Sequence, residues 1–290
     1  MKLAKLSLVA MTVLGCGTCL FSADSLADAF KEGNVNGNVK SFYRDWNGAQ
    51  DTTGFAIGGE LGYTTGKFNG FSAGVTFQTS HTLGVKDNNP AEVDGGVSIS
   101  HTLLSEAYLS YTFDKTVVKV GRQYIDTPLV SSSSTRLLNG MFQAITITNT
   151  SLPNTTLVGG IVNKWQNRAE NIQDLEEEIY TIYMLNKSIN SLEVTAQVTS
   201  HKDDANLAFI DVAYDFTFPL TVGAQYLGAF YDIVGEKDSY TYGLMARKKI
   251  AGFGFYGYYN STAKDNDVAV GYGQGTDWTY NSVQWLTGIT

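Results

Sequence analysis

The sequence predicts an all-β fold, an antiparallel transmembrane β-barrel behind a secretory leader, and three observations carry that prediction. The leader is succeeded by no apolar run approaching the ~18 residues of a membrane-spanning helix. Short segments along the rest of the chain alternate apolar and polar residues with a period of two. The connections between them alternate between tight turns and longer polar loops. Hydrophobic residues make up 43% of the 290 residues, a share ordinary for a chain in water. A barrel accommodates this because only every second strand residue meets lipid.

The leader comes first in chain order. Lys2 and Lys5 form its charged start and Leu6 to Leu20 its apolar run. Ser25-Leu26-Ala27 supplies small residues at a spacing a signal peptidase accepts, and a cut after Ala23 is the other reading. The expected division is a signal peptide at 1–27 and one barrel domain at 28–290. Both cysteines, Cys16 and Cys19, fall inside the leader, so the mature chain has no disulfide and no thiolate metal site. Val13-Leu14-Gly15-Cys16 also resembles a degenerate lipoprotein box, which would acylate Cys16 instead. Losing Lys2, Lys5 and Asp24 with the leader takes the net charge from −8 to −9. An acidic chain disfavours nucleic acid as a partner.

Thirteen candidate strands occupy the remainder: 34–45, 54–64, 71–79, 105–113, 116–124, 141–149, 155–165, 178–186, 190–199, 206–216, 220–231, 239–249 and 252–261. In the second, Phe55, Ile57, Gly59, Leu61 and Tyr63 share one face and Ala56, Gly58, Glu60 and Gly62 the other. The third sets Phe71, Ala73, Val75 and Phe77 against Ser72, Gly74, Thr76 and Gln78. Ten residues at ~3.3 Å each, tilted near 45°, rise roughly 23 Å, close to the ~25 Å apolar band of an outer-membrane barrel. Tight turns are expected at 66–70, 114–115, 150–154, 187–190, 217–219 and 250–251. Longer polar loops are expected at 80–103, 125–140, 166–177 and 232–238. With the N-terminus in the periplasm, a thirteenth strand runs outward and leaves 263–290 as an external segment. An odd strand number leaves a free edge, so further strands are expected to complete the barrel.

Particular strings then resemble the OprD-type outer-membrane porins, especially the version of Campylobacter-like bacteria. They are Asp28-Ala29-Phe30-Lys31-Glu32-Gly33, Gly70-Phe71-Ser72-Ala73-Gly74-Val75, Ser105-Glu106-Ala107-Tyr108-Leu109, and Gly121-Arg122-Gln123 with Asp126-Thr127-Pro128-Leu129 shortly after. Pro153-Asn154-Thr155-Thr156-Leu157-Val158 through Lys164-Trp165 continues the likeness. The resemblance implies an 18-stranded barrel, of which thirteen strands are the first part. It also implies a third external loop that folds into the lumen and narrows it.

The site residues emerge from charge and parity. Val118, Val120 and Arg122 share one parity of the fifth strand. Arg122 therefore lies either at the headgroup level or, if a bulge at Gly121 turns it, in the lumen, which the resemblance favours. There Lys119, Arg122, Arg136 and Lys164 would form a basic wall facing Glu60, Glu106 and Asp126. Opposed charges across a narrow lumen orient dipolar solutes and filter by sign. The expected function is passive diffusion of ions, amino acids, small peptides or other small charged solutes, with no cofactor and no metal. The expected partners are outer-membrane lipid, lipopolysaccharide and a homotrimer of the chain itself.

Two other readings compete. An exported or lipid-anchored β-rich adhesin would stay folded without detergent, but the aromatic-tipped strands suit interfacial girdles better. An outer-membrane phospholipase would need a serine–histidine pair. His81, His101 and His201 sit at strand ends or loops, and no G-x-S-x-G elbow is present. The acidic run Glu170, Asp174, Glu176, Glu177 and Glu178 reads as a solvated external loop, with a lipopolysaccharide-bridging cation as the sharper alternative.

Overall fold

Tight turns set the register of the sheet. In the computed structural model, which describes residues 23–46, 52–83, 100–132, 136–167, 172–250, 253–264, 268–269 and 271–273, the turn after Phe113 passes through Asp114, at φ 47°. The turn before Phe71 passes through Asn69 and Gly70, at φ 50° and 85°. Left-handed backbone at these positions matches the twist of an antiparallel hairpin, and Asn, Asp and Gly tolerate it best.

The strands are β1 (Asn34–Trp46), β2 (Thr52–Thr64), β3 (Phe71–His81), β4 (His101–Phe113), β5 (Thr116–Gln123), β6 (Val130–Ser131), β7 (Met141–Asn149) and β8 (Thr155–Gln166). They continue as β9 (Gln173–Asn186), β10 (Leu192–His201), β11 (Ala205–Asp215), β12 (Leu220–Tyr231), β13 (Ser239–Ile250), β14 (Phe253–Thr262) and β15 (Tyr272–Gly273). Thirteen of them make one antiparallel sheet in chain order, with β1 and β14 at its ends. All thirteen expected strands are present. Two ends differ from the expected ones by more than two residues: β4 begins at His101, and β9 begins at Gln173. The acidic residues Asp174, Glu176, Glu177 and Glu178 are thus in a strand, not in the loop expected there, and Glu170 lies outside the described residues.

Burial is inverted relative to a protein in water. Phe71, Val75, Phe77, Leu109, Ile145, Ile147, Ile182 and Val198 are exposed, while Ser72, Thr76, Gln78, Ser110, Thr146, Thr195, Gln197 and Thr199 are buried. These sets lie on opposite faces by strict alternation. An apolar band on the outside and polar side chains within is the distribution required when the outer solvent is lipid. Aromatic side chains gather at the tight-turn ends: Phe71 and Tyr111 have ring centroids 4.6 Å apart, Tyr214 and Phe216 4.9 Å, and Phe216 and Phe218 5.3 Å. Amphipathic rings favour that depth at a membrane surface. No described helix is long and apolar enough to cross a membrane.

Residues 1–22 lie outside the described residues, and a short helix, α1 (Leu26–Lys31), precedes β1. Ser25 Oγ accepts from the Asp28 amide at 3.1 Å, the usual N-cap bond. Beneath the β2–β3 turn, the Gly66 amide donates to the Ala29 carbonyl at 2.8 Å, the Ala23 amide donates to the Lys67 carbonyl at 2.7 Å, and Tyr63 Oη donates to the Phe30 carbonyl. Ala27, one of the two expected cleavage points, is inside this helix.

Candidate functional site: a constricted lumen

The segment 124–140 leaves β5 and turns inward instead of outward. Its sequence carries the reason: Leu129-Val130 and Leu137-Leu138 are apolar pairs that an external loop would leave in water. All four are buried, Val130 completely. Leu129 packs with Ala205, Leu207, Phe209, Leu227 and Ala229, the inward residues of β11 and β12. Val130 packs with Phe142, Ala144, Val162 and Ile179 of β7, β8 and β9. Leu138 meets Leu103 of β4. The segment therefore crosses the lumen from β5 to the far wall.

Polar side chains of the wall fix it at three points. On β4, Glu106 Oε1 accepts from the Tyr124 amide at 3.1 Å and Oε2 from Thr76 Oγ1 at 2.8 Å. On β3, Gln78 Oε1 accepts from the Asn139 amide at 2.9 Å, and its Nε2 donates to Glu60 at 3.3 Å. On β10, Gln197 Oε1 accepts from the Leu129 amide at 2.8 Å, while Nε2 donates to Thr127 Oγ1 and Thr181 Oγ1, each at 2.9 Å. Buried amides need such partners, since an unmade bond costs more than a made one gains. Within the segment, Asp126 Oδ1 accepts from Ser131 Oγ at 3.2 Å and the Ser132 amide donates to the Ile125 carbonyl at 2.7 Å.

A second strap braces the first. Tyr272 and Gly273 (β15) pair in parallel with Val130 and Ser131 (β6). The Tyr272 amide donates to the Leu129 carbonyl at 2.8 Å. Its hydroxyl donates to the Ala205 carbonyl at 3.1 Å and to Asp204 Oδ2 at 3.2 Å. Burial first, and then the charge of Asp204, push that hydroxyl well above the usual tyrosine range. His201 meets the Tyr272 ring edge-on at 5.3 Å, with its Nδ1 2.9 Å from Asp204.

Five of the seven expected lumen residues face inward. Lys119 pairs with the inward Ser110 and Thr146, and its Nζ lies 4.2 Å from the centroid of the Tyr108 ring. Gly74 makes room for that ring, because a Cβ there would strike it. Arg136 lies 5.4 Å from the Phe42 ring of β1. Glu60 accepts from Asn38 Nδ2 at 2.6 Å. Glu106 and Asp126 are inward through their bonds to Tyr124 and Ser131. Of the three carboxylates, Glu106 ties the wall to the loop directly, and Glu60 accepts from Gln78, which does so on β3.

Arg122 and Lys164 do not join the basic wall. Gly121 has a positive φ of 125°, yet the register through it is continuous: Lys119 and Gln123 are inward, and Arg122 pairs with Ala107 and Gln143 on the outward face. Its Nη1 donates to the Leu104 carbonyl. Lys164 is turned outward by a register shift: Val162 pairs with Ala144, but Lys164 pairs with Gln143, leaving Asn163 without an opposite residue. A bulge of this kind reverses the side chains beyond it. Lys164 Nζ lies 2.6 Å from Asp174 Oδ1. Lys164 was expected on that wall from the resemblance, and the shift that turns it outward is invisible in the sequence. Gln78, Gln197 and Tyr272 were missed altogether. The available signal was a mid-strand glutamine of inward parity opposite a loop containing apolar pairs.

No group of three or more potential metal ligands converges among the described residues, so the acidic run forms no such centre there. Lys119, Arg136 and Asp126 put charges of both signs beside loop 124–140, an arrangement able to sieve by size and by charge.

An antiparallel sheet with a lipid-facing apolar exterior, a polar interior and an inward loop defines a protein of the outer-membrane β-barrel class. The family model for outer membrane porins of the OprD family matches residues 40–237. The chain belongs to that family, whose members are porins of the Gram-negative outer membrane rather than enzymes. Among solved structures, the Pseudomonas aeruginosa porin OccD3 (OpdP) is similar at 18% identity and TM-score 0.61, over 76% of this chain and 54% of that one. OccAB1 of Acinetobacter baumannii is 16% identical with TM-score 0.67, over 83% and 68%. OpdK of Pseudomonas aeruginosa, solved with vanillate, is 17% identical with TM-score 0.65, over 81% and 68%. The chain thus spans about half the length of OccD3 and about two thirds of the other two. No curated protein sequence matches it.

Proposed function

We propose that this protein is a diffusion channel for small polar or charged solutes, with loop 124–140 as its selectivity constriction. The observation that carries the reading is the anchoring of that loop by Glu106, Gln78 and Gln197 on three separate strands of the lumen wall. A fixed loop across a polar passage has no evident use in an adhesin, and the exposed apolar band opposes any fold in water. Solutes move down their own gradients, since loop and wall supply positioned charge and no energy source.

Small ions, amino acids and short peptides fit a passage of this kind. Lys119 and Arg136 favour solutes carrying a carboxylate, and the vanillate of OpdK is one of that class. The test is conductance across a planar bilayer of the protein refolded in detergent, with reversal potentials in a salt gradient. Discrete steps that shrink when small carboxylates are added support the reading. A folded, inserted protein that never conducts would bring the adhesin forward.

A further inference from the structure

The outward face of β1 to β5 carries two features that the conduction path does not use. One is a groove of about 490 Å³ centred on Gly59, whose outward walls are Val39, Ile57, Leu61, Phe77 and Thr79. It exists because Gly59, paired with Val39 on one side and Thr79 on the other, presents no side chain between larger neighbours. Gly59 cannot be filled cheaply, since a Cβ there would meet the Asn38 carbonyl oxygen. The other feature is Arg122 of β5, two strands beyond Phe77, whose guanidinium reaches back across β4 to the carbonyl of Leu104, the residue opposite Phe77. That bond uses one of five N–H donors.

The groove runs from mid-strand in β1 and β2 to His81 and Thr102 at the long-loop ends of β3 and β4, and Arg122 lies at the long-loop end of β5; the long loops mark the extracellular end of an outer-membrane barrel. At the upper rim of the groove stand Thr79 and Thr102, joined at 2.7 Å, and His81. The Leu83 amide donates to His81 Nδ1 at 2.9 Å, which leaves Nε2 as the donating nitrogen of the neutral ring. An apolar dent, a polar rim and a cation fit an amphiphile with an acyl chain and an anionic headgroup. A guanidinium binds phosphate through paired, parallel N–H bonds.

We propose that this face holds one molecule of the phosphorylated, acylated glycolipid of the outer leaflet, with an acyl chain in the Gly59 groove and a phosphate on Arg122. The apolar lining is continuous with the band that lipid already covers, and the cation complements the phosphate. The site rests on the outward register of Arg122 and not on conduction, so the two readings stand or fall separately.

The test uses the full chain purified from its outer membrane in mild detergent, with bound lipid read by native mass spectrometry. The protein should retain about one glycolipid per chain, and Arg122→Gln and Leu61→Trp, which fills the groove, should each lower retention at least tenfold. Bilayer conductance should be unchanged in both. Should a variant fail to fold, added lipid A and its dephosphorylated form are titrated against the unaltered protein, and the phosphorylated form should bind at least tenfold tighter. Equal retention by Arg122→Gln, equal binding of the two lipid A forms, or retention of a glycerophospholipid in place of the glycolipid would each overturn the proposal.

Discussion

Replacing Gln197 by leucine removes the anchor at the tip of the constricting loop while keeping the volume of the side chain nearly constant. Gln197 is 2% exposed and makes three bonds there. Its loss strands the buried Leu129 amide, a cost of about 1–3 kcal/mol. The two threonines lose less, because Thr127 Oγ1 also donates to the Val130 carbonyl and Thr181 Oγ1 to the Val198 carbonyl. Together the loss is about 2–4 kcal/mol against the docked tip. Burial of Leu129 survives the substitution and holds the tip with ~1.5–3 kcal/mol, while the Gln78 and Glu106 anchors remain. The loop should therefore stay inside but open far more often, by roughly two orders of magnitude at 1.4 kcal/mol per tenfold. Hydrogen exchange of the Leu129 amide should accelerate by that factor, and single-channel records should show frequent excursions to larger conductance. An unchanged exchange rate in a folded Gln197→Leu protein would refute the anchoring argument.

Other outcomes rest on the same geometry. Lys119→Glu reverses one inward charge beside the Tyr108 ring, so the reversal potential in a salt gradient should move toward cation preference; no movement would place Lys119 off the path. Ile182→Arg puts a cation on an outward position that is 65% exposed to lipid, and should lower stability in vesicles by about 2–4 kcal/mol by urea titration. An unaffected midpoint would argue that this face does not meet lipid. In a chain cut after Ala23, which keeps Ser25, hydrogen bonds from Ser25 and then Lys31 hold the Asp28 carboxyl below its usual range. A depressed carboxylate stabilises the folded state above its unfolded pKa and loses that contribution as pH falls through the folded value. The amide of Glu32, which donates to the Asp28 carbonyl at 2.8 Å, should therefore lose protection below the ordinary carboxylate range and keep it at neutral pH. Protection that is flat with pH would dismiss the cap.

The inward course of loop 124–140 is only half legible in the sequence. Its apolar pairs are in plain view, but the resemblance to the OprD family is needed to turn the loop into the lumen. Lys119 and Glu60 face inward as the alternation of their strands predicts, and Glu106 does so from the first residue after the bulge at Ser105. Lys164 was misplaced because one unpaired residue, Asn163, reverses every side chain beyond it. Arg122 shows the converse, for the glycine expected to turn it inward keeps the register intact.

The sequence by itself determined the thirteen strands, their inward and outward faces wherever no bulge intervenes, and the membrane outside them. These depend on local alternation and turn chemistry, which neighbouring residues specify. The tertiary structure alone decided which wall receives the loop, which glutamines hold it, and that Tyr272 reaches back from beyond β14 to brace it. Those contacts join residues 61 or more positions apart, and no periodicity in a chain records which distant strand its folding brings opposite.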